Sequence, residues 1–204
     1  GLDIFQDVLA YVVLLIALLL FHAAFTYSIF LKFIGGLNPL TFYRKMKDVA
    51  LFAFSTSSSA ATIPVTLRTV NQDLGVNQNV ASFVVPVGAT INMDGTAIMQ
   101  GLATVFIAQM SGIDLTLFQY IQVVLLAVAT SIGTAAVPSA GTITLIIILQ
   151  QFNLPLEAIG IILAVDRVLD MIRTSVNVTG DAAIACIVAK TENQLDENIF
   201  NSKA

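Results

Sequence analysis

Residues 166–181 read DRVLDMIRTSVNVTGD, and they decide how the rest of the chain is read. At about 100° per residue on a helix, Asp166, Asp170, Arg173, Thr174, Asn177 and Asp181 share one stripe roughly 100° wide. Val168, Leu169, Ile172 and Val176 point elsewhere. Such a stripe is ordinarily the wet face of a soluble helix. The flanks argue against that, because IGIILAV precedes the stripe and AAIACIVA follows it. A lipid-embedded helix must turn its charges to protein or to a water-filled cavity. Charges of both signs on that stripe point to a ligand that carries both signs.

Composition agrees with a bilayer setting. The 204 residues are 57% hydrophobic and 11% charged, with mean hydropathy +0.89, against about 25% charged residues in soluble domains. A net charge of −4 without a basic run offers nothing to nucleic acid. The single cysteine, Cys186, reads as a small core residue. The chain opens at Gly1 with no basic n-region, so the sequence is expected to be part of a longer protein.

Outward from the stripe, the chain divides into spans and interrupted spans. Residues 8–31 carry no charge and are long enough to cross a hydrocarbon core of about 30 Å. His22 within them reads as a packing or interface residue rather than a proton relay. Gly35, Gly36, Asn38 and Pro39 read as a loop, followed by Arg44, Lys45 and Lys47. Residues 49–70 contain STSSSAATIPVT, too polar for a clean span, and read as a first re-entrant hairpin. Residues 79–111 read as a broken transmembrane helix with GATINMDGT near its centre, where Asn92, Asp94, Gly95 and Thr96 compete for backbone hydrogen bonds and unwind the helix. Carbonyl and carboxylate oxygens together suit a hard cation. Residues 115–152 are uncharged and broken at SIGTAAVPSAGT, which reads as a second re-entrant hairpin. Residues 157–189 form the last, amphipathic transmembrane helix, and 190–204 a tail. The fold class expected is an all-α membrane protein with two such hairpins. AATIP (Ala60–Pro64) and TAAVP (Thr134–Pro138) resemble each other, and paired interrupted segments point to a transporter site.

Lys32, Arg44, Lys45, Lys47, Arg68 and Lys190 fall on one side if both hairpins return to the side they entered from. Asp3, Asp7, Asp114 and Glu157 fall on the other. The basic side is then cytoplasmic, and the C-terminus with it.

The serine-rich segment, NMDGT, GTAAVPSAG and DRVLDMIRTSVNVTGD occur together, in this order, along essentially the whole chain. On these four motifs the chain resembles the glutamate/aspartate sodium symporter family, which includes the excitatory amino acid transporters and an archaeal aspartate transporter. The resemblance implies the mobile transport domain of an inverted-repeat fold, in a plasma or inner membrane. It implies a homotrimer built through scaffold helices that lie outside this sequence. It also implies that Asp170 receives a substrate ammonium, Arg173 a side-chain carboxylate, and Thr174 and Asn177 the main-chain carboxylate. Ser57, Ser59, Thr96, Val137 and Gly141 complete the substrate contacts. For sodium it implies one site from Gly88, Asn92, Asn177 and Asp181, a second from Thr90, Ser131, Ile132 and Thr134, and half of a third from Asn92 and Asp94. Asp166, Arg167, Gln100 and Met93 bear on coupling. The second hairpin, carrying residues of both kinds, is expected to be the lid.

Departures from the family pattern are informative. Ser57 and Met171 stand where relatives carry an arginine at one place or the other, and Arg167 lies one turn before Met171. Ala60 replaces a frequent serine. Gln100 stands where the excitatory transporters have a glutamate linked to proton and potassium coupling, which favours plain sodium coupling. Within the family, dicarboxylate carriers are the nearest alternative, and Asp170 is the residue that an ammonium needs and a dicarboxylate does not. An enzyme reading, an intramembrane aspartyl protease using Asp94 and Asp181, lacks the GxGD pattern and needs a proton-sharing pair.

Overall fold

The computed structural model describes residues 2–202, with side chains from Ile4 onward. Gly1, Lys203, Ala204 and the Asp3 side chain counted in the charge asymmetry lie outside the described residues. The first helical rod is continuous but not uniform. It comprises α1 (Leu2–Phe21), a π-turn (His22–Thr26), α2 (Tyr27–Ile29) and a second π-turn (Phe30–Ile34). Ile4–Ile34 is the one stretch among the described residues long and apolar enough to cross a membrane by length and composition. Then follow α3 (Pro39–Thr56), α4 (Ser59–Gln72), α5 (Gln78–Ile91), α6 (Asp94–Met110), α7 (Leu117–Ile132), α8 (Ala140–Gln151), a 3-10 turn (Leu156–Ala158), α9 (Ile159–Thr191) and α10 (Glu197–Asn201). Among the described residues there is no strand, only an isolated antiparallel bridge between Val76 and Leu195.

Local chemistry explains the boundaries. The Asn38 side chain accepts from Leu40 N at 2.9 Å, and Pro39 fills the first helical position, a standard start signal. The first hairpin arm therefore begins at Pro39, not at residue 49. Gly35 and Gly36 do form a loop, with Gly36 in the left-handed region at φ 63°, whereas Asn38 and Pro39 cap and open a helix that carries Arg44, Lys45 and Lys47. Ser58 caps α4 through Ala61 N, and Thr116 with Gln119 forms a capping box on α7. The helix broken at NMDGT loses only Asn92 and Met93, whose φ values are −103° and −101°. Gly95 and Thr96, expected in the unwound part, are helical.

α9 is the axis of the molecule. It packs along α3 and α5 most extensively, and also against α1, α6 and α4. All six stripe residues are buried. The outside is inverted relative to a soluble protein: Leu117 is 79% exposed, Phe33 75% and Phe118 69%. Polar groups inside and large apolar groups outside are the arrangement a bilayer selects.

The tail is not loose. Lys45 is buried, and its Nζ donates to Asp73 O at 2.8 Å, Ile199 O at 2.7 Å and Ser202 Oγ at 3.2 Å. Phe200 is buried, and Lys190 pairs with Glu197. α10 thus closes the base of the α3–α4 hairpin.

Candidate functional site

Two helix tips meet beside the middle of α9. The first is a two-residue turn. Ser57 lies in the left-handed region with φ 52°, and Ser58 is extended. The second spans residues 133–139, and Ser139 at its end also lies in the left-handed region, with φ 59°. The tips are joined at one carbonyl: Ser58 Oγ donates to Ala136 O at 2.9 Å and Ala60 N to the same oxygen at 3.2 Å. The α5–α6 break forms a third wall.

A cavity lies between them. Ser57 and Ser59 line it from the first tip; Thr134, Ala135, Ala136, Val137 and Gly141 from the second. Met93 and Thr96 come from the break; Asp170, Arg173, Thr174 and Asn177 from α9. All nine residues expected at the substrate are thereby brought to one place. Ala135 and Ala136 escaped the sequence reading, because they face the cavity without a distinctive side chain. The cavity measures about 20 Å³ as space open to the centre of a water molecule, which is room for one water.

Its electrostatics are internally paired. Arg173 Nη1 donates to Asp166 Oδ1 at 3.1 Å and Nη2 to Asp170 Oδ1 at 2.6 Å. The other oxygen of Asp170 accepts from Ser139 N at 2.8 Å. Asp166 Oδ2 is buried with no partner among the described residues. Two buried carboxylates against one guanidinium leave the cluster net negative. Removing one partner of such a cluster is far costlier than its net worth, because a lone buried charge remains. Arg167 is exposed and does not line the cavity, so it does not take the place of the arginine missing at Ser57 and Met171.

The residues expected to hold cations fall into three groups. Asn92 Nδ2 donates to Asp181 Oδ1 at 3.0 Å. A Cβ on Gly88 would stand 2.6 Å from that oxygen, so only glycine permits α5 to approach. Asn177 holds the start of α6, accepting from Gly95 N at 2.8 Å and donating to Thr96 Oγ1 at 3.2 Å. This group is oxygen-rich and closely packed, as a hard cation requires. The second group is dispersed. Thr90 is exposed and its hydroxyl donates to Val87 O; Ile132 is 47% exposed; Ser131 and Thr134 donate to carbonyls within α7. No hydrogen bond joins Thr90 to the second hairpin among the described residues. In the third group Asp94 is engaged elsewhere: its Oδ2 accepts from Tyr27 Oη and lies against His22 Nε2, each at 3.1 Å.

Gln100 is fully occupied. Its Nε2 donates to Gly141 O at 3.0 Å and Thr144 Oγ1 at 2.8 Å, while Oε1 accepts from Thr130 Oγ1 at 2.8 Å. One neutral amide thus ties α6 to both arms of the second hairpin.

Comparison with known proteins gives a consistent answer. The chain is 48% identical over 151 residues to an excitatory amino acid transporter of Caenorhabditis elegans, covering 74% of this chain and 30% of that protein. It is 43% identical over 178 residues to human excitatory amino acid transporter 2, covering 87% and 31%. It is 42% identical over 202 residues to mouse excitatory amino acid transporter 3, covering 98% and 39%. The chain thus spans about a third of the length of these curated relatives. The profile described as the sodium:dicarboxylate symporter family matches residues 1–191, and the chain belongs to that family.

Proposed function

We propose that the full-length protein is a secondary transporter, not an enzyme, that carries an acidic amino acid together with sodium ions by alternating access. The observation that carries this reading is the placing of Asp170 and Arg173, opposite charges, on one buried cavity wall. A guanidinium suits a carboxylate bidentately, and a carboxylate suits an ammonium. Thr174 and Asn177 stand beside them for the main-chain carboxylate. The cluster of Asp166, Asp170 and Arg173 is already net negative, so an anionic substrate needs accompanying cations. Asp181, Asn92, Asn177 and Gly88 form an oxygen-bearing group to serve them. The Thr90, Ser131, Ile132 and Thr134 group would have to assemble as the second hairpin closes, which links sodium to substrate.

In this reading the two hairpins are re-entrant halves of an inverted repeat in a plasma membrane. The N-terminal rod, the broken α5–α6 helix and α9 cross the bilayer, and the Lys45 end and C-terminus are cytoplasmic. The parent is a homotrimer held by helices outside this sequence. Titration calorimetry of the full-length protein with aspartate, glutamate and succinate, each with and without sodium, tests it. Sodium-dependent heat with aspartate or glutamate and little with succinate is expected. Succinate binding as tight as aspartate overturns the amino acid assignment in favour of a dicarboxylate.

A further inference from the structure

The N-terminal rod carries a polar contact that the transport reading does not use. Its two π-turns, His22–Thr26 and Phe30–Ile34, bracket Tyr27. A π-turn inserts a residue and resets the direction of the side chains around it, and such turns concentrate at functional sites. Here they bring His22 and Tyr27 to a single oxygen, Asp94 Oδ2, at 3.1 Å each. The two rings pack edge to face, with centroids 4.9 Å apart. A carboxylate only accepts, so His22 Nε2 carries the hydrogen. Tyr27 is buried and its hydroxyl also lies 3.3 Å from Val176 O. A Cβ on Gly180 would stand 2.5 Å from that hydroxyl and 3.0 Å from Asn92 Nδ2. The missing methyl lets the tyrosine reach Asp94 and seats it beside the Asn92–Asp181 pair. Asp94 Oδ1 takes no hydrogen bond among the described residues.

We propose that His22 and Tyr27 are positioning residues for cation binding: together they pin Asp94 Oδ2 and present Oδ1, beside Asn92, to a sodium ion. The proposal rests on the reading of Asp94 as a sodium-binding residue. It gives the π-turns a purpose, since an unbroken α-helix through residues 22–34 would turn one of the two donors away.

The test uses the full-length protein and two readouts: the sodium concentration at half-maximal aspartate binding, and the thermal shift produced by sodium alone. His22→Ala and the near-isosteric Tyr27→Phe should each raise the sodium midpoint by about tenfold, the order expected for losing a hydrogen bond to a charged group. Aspartate affinity should recover as sodium rises, because ligands that favour one state are reciprocally linked. His22→Gln, which restores a donor, should return the midpoint toward wild type. A purely structural role predicts a lower melting temperature in all three variants with the sodium midpoint unmoved. An unmoved midpoint in Tyr27→Phe, with wild type sodium-dependent, overturns the proposal alone. Wild-type aspartate binding that ignores sodium overturns the transport reading itself, and the proposal with it.

Discussion

The two hairpins end at the same cavity but are held there very differently. The first, α3 with α4, turns in two residues and is fastened along its length. Its arm α3 packs on α9, where Ser175 Oγ donates to Ala50 O at 2.8 Å, and its base is clamped by Lys45 to α10. The second, α7 with α8, turns through residues 133–139, and α8 starts without a side-chain cap. It touches α9 little; its polar ties are the Gln100 amide, the shared Ala136 carbonyl and Ser139 N on Asp170. Its outer faces are apolar and exposed, with Leu125 at 64% and Ile143 at 61%. Opening the second hairpin parts it from α6, on which both its arms pack, and breaks a handful of hydrogen bonds; opening the first would part α3 from α9, the most extensive helix interface among the described residues. Elements that move are drawn from the weakly held end of a structure. The contrast supports the proposal that the second hairpin is the lid.

Arg173→Cys gives the strongest test of this asymmetry. Aspartate affinity should fall by more than about a hundredfold, since breaking a buried charge pair typically costs roughly 3–5 kcal/mol. Spin-label distances then separate the hairpins. A label at Pro138→Cys, measured against one at Arg167→Cys, should move in the wild-type protein when aspartate joins sodium, and stay put in the Arg173 variant. A label at Ala61→Cys should read the same throughout. Equal movement at Ala61 and Pro138 breaks the comparison; near wild-type affinity removes Arg173 from the site.

Lys45→Met is the intermediate case. It strands the carbonyls of Asp73 and Ile199, and should destabilise the protein by about 2–3 kcal/mol. Hydrogen exchange should rise in residues 192–202 and at the base of α3, while the second hairpin exchanges as before. Faster exchange confined to α7–α8 would show that the clamp does not hold the first hairpin.

Ser58→Ala should be mildest. It removes the α4 cap and one of the two donors to Ala136 O, a loss of about 1 kcal/mol. If that bond helps to latch the lid, the Pro138 label should shift toward its sodium-only position. A change in melting temperature without such a shift confines Ser58 to capping.

Much of the site was readable because it rests on side chains with few alternatives. A guanidinium and two carboxylates on one stripe of an apolar segment must face inward, and all of them do. The broken helix was legible from NMDGT, but its extent was not. Gly95 and Thr96 are weak helix formers in isolation, and the bonds from Asn177 to Gly95 N and Thr96 Oγ1 hold them at a helical start. Asn38–Pro39 reads equally as loop or as cap, because a cap and a turn use the same residues; the helix after it distinguishes them. The contact of His22 with Asp94 is not legible in the sequence, since the two lie 72 residues apart and meet through π-turns that no periodicity announces. The docking of α10 was hidden for a similar reason: a lysine amid a basic stretch gives no sign that three oxygens of distant segments will surround it.

The small cavity has a kinetic consequence. With Arg173 held by Asp170, and Asp170 by Ser139 N, a four-carbon amino acid cannot dock and then wait for the walls to adjust. With the second tip as the proposed lid, it withdraws first, and only the withdrawn fraction binds. Apparent affinity is then the intrinsic affinity scaled by that fraction. The association rate should stop rising with substrate concentration and level off at the opening rate of the tip, a plateau that stopped-flow fluorescence would read directly. Turnover would thus carry a gate on its entry step, set by hydrogen bonds that the substrate itself never makes.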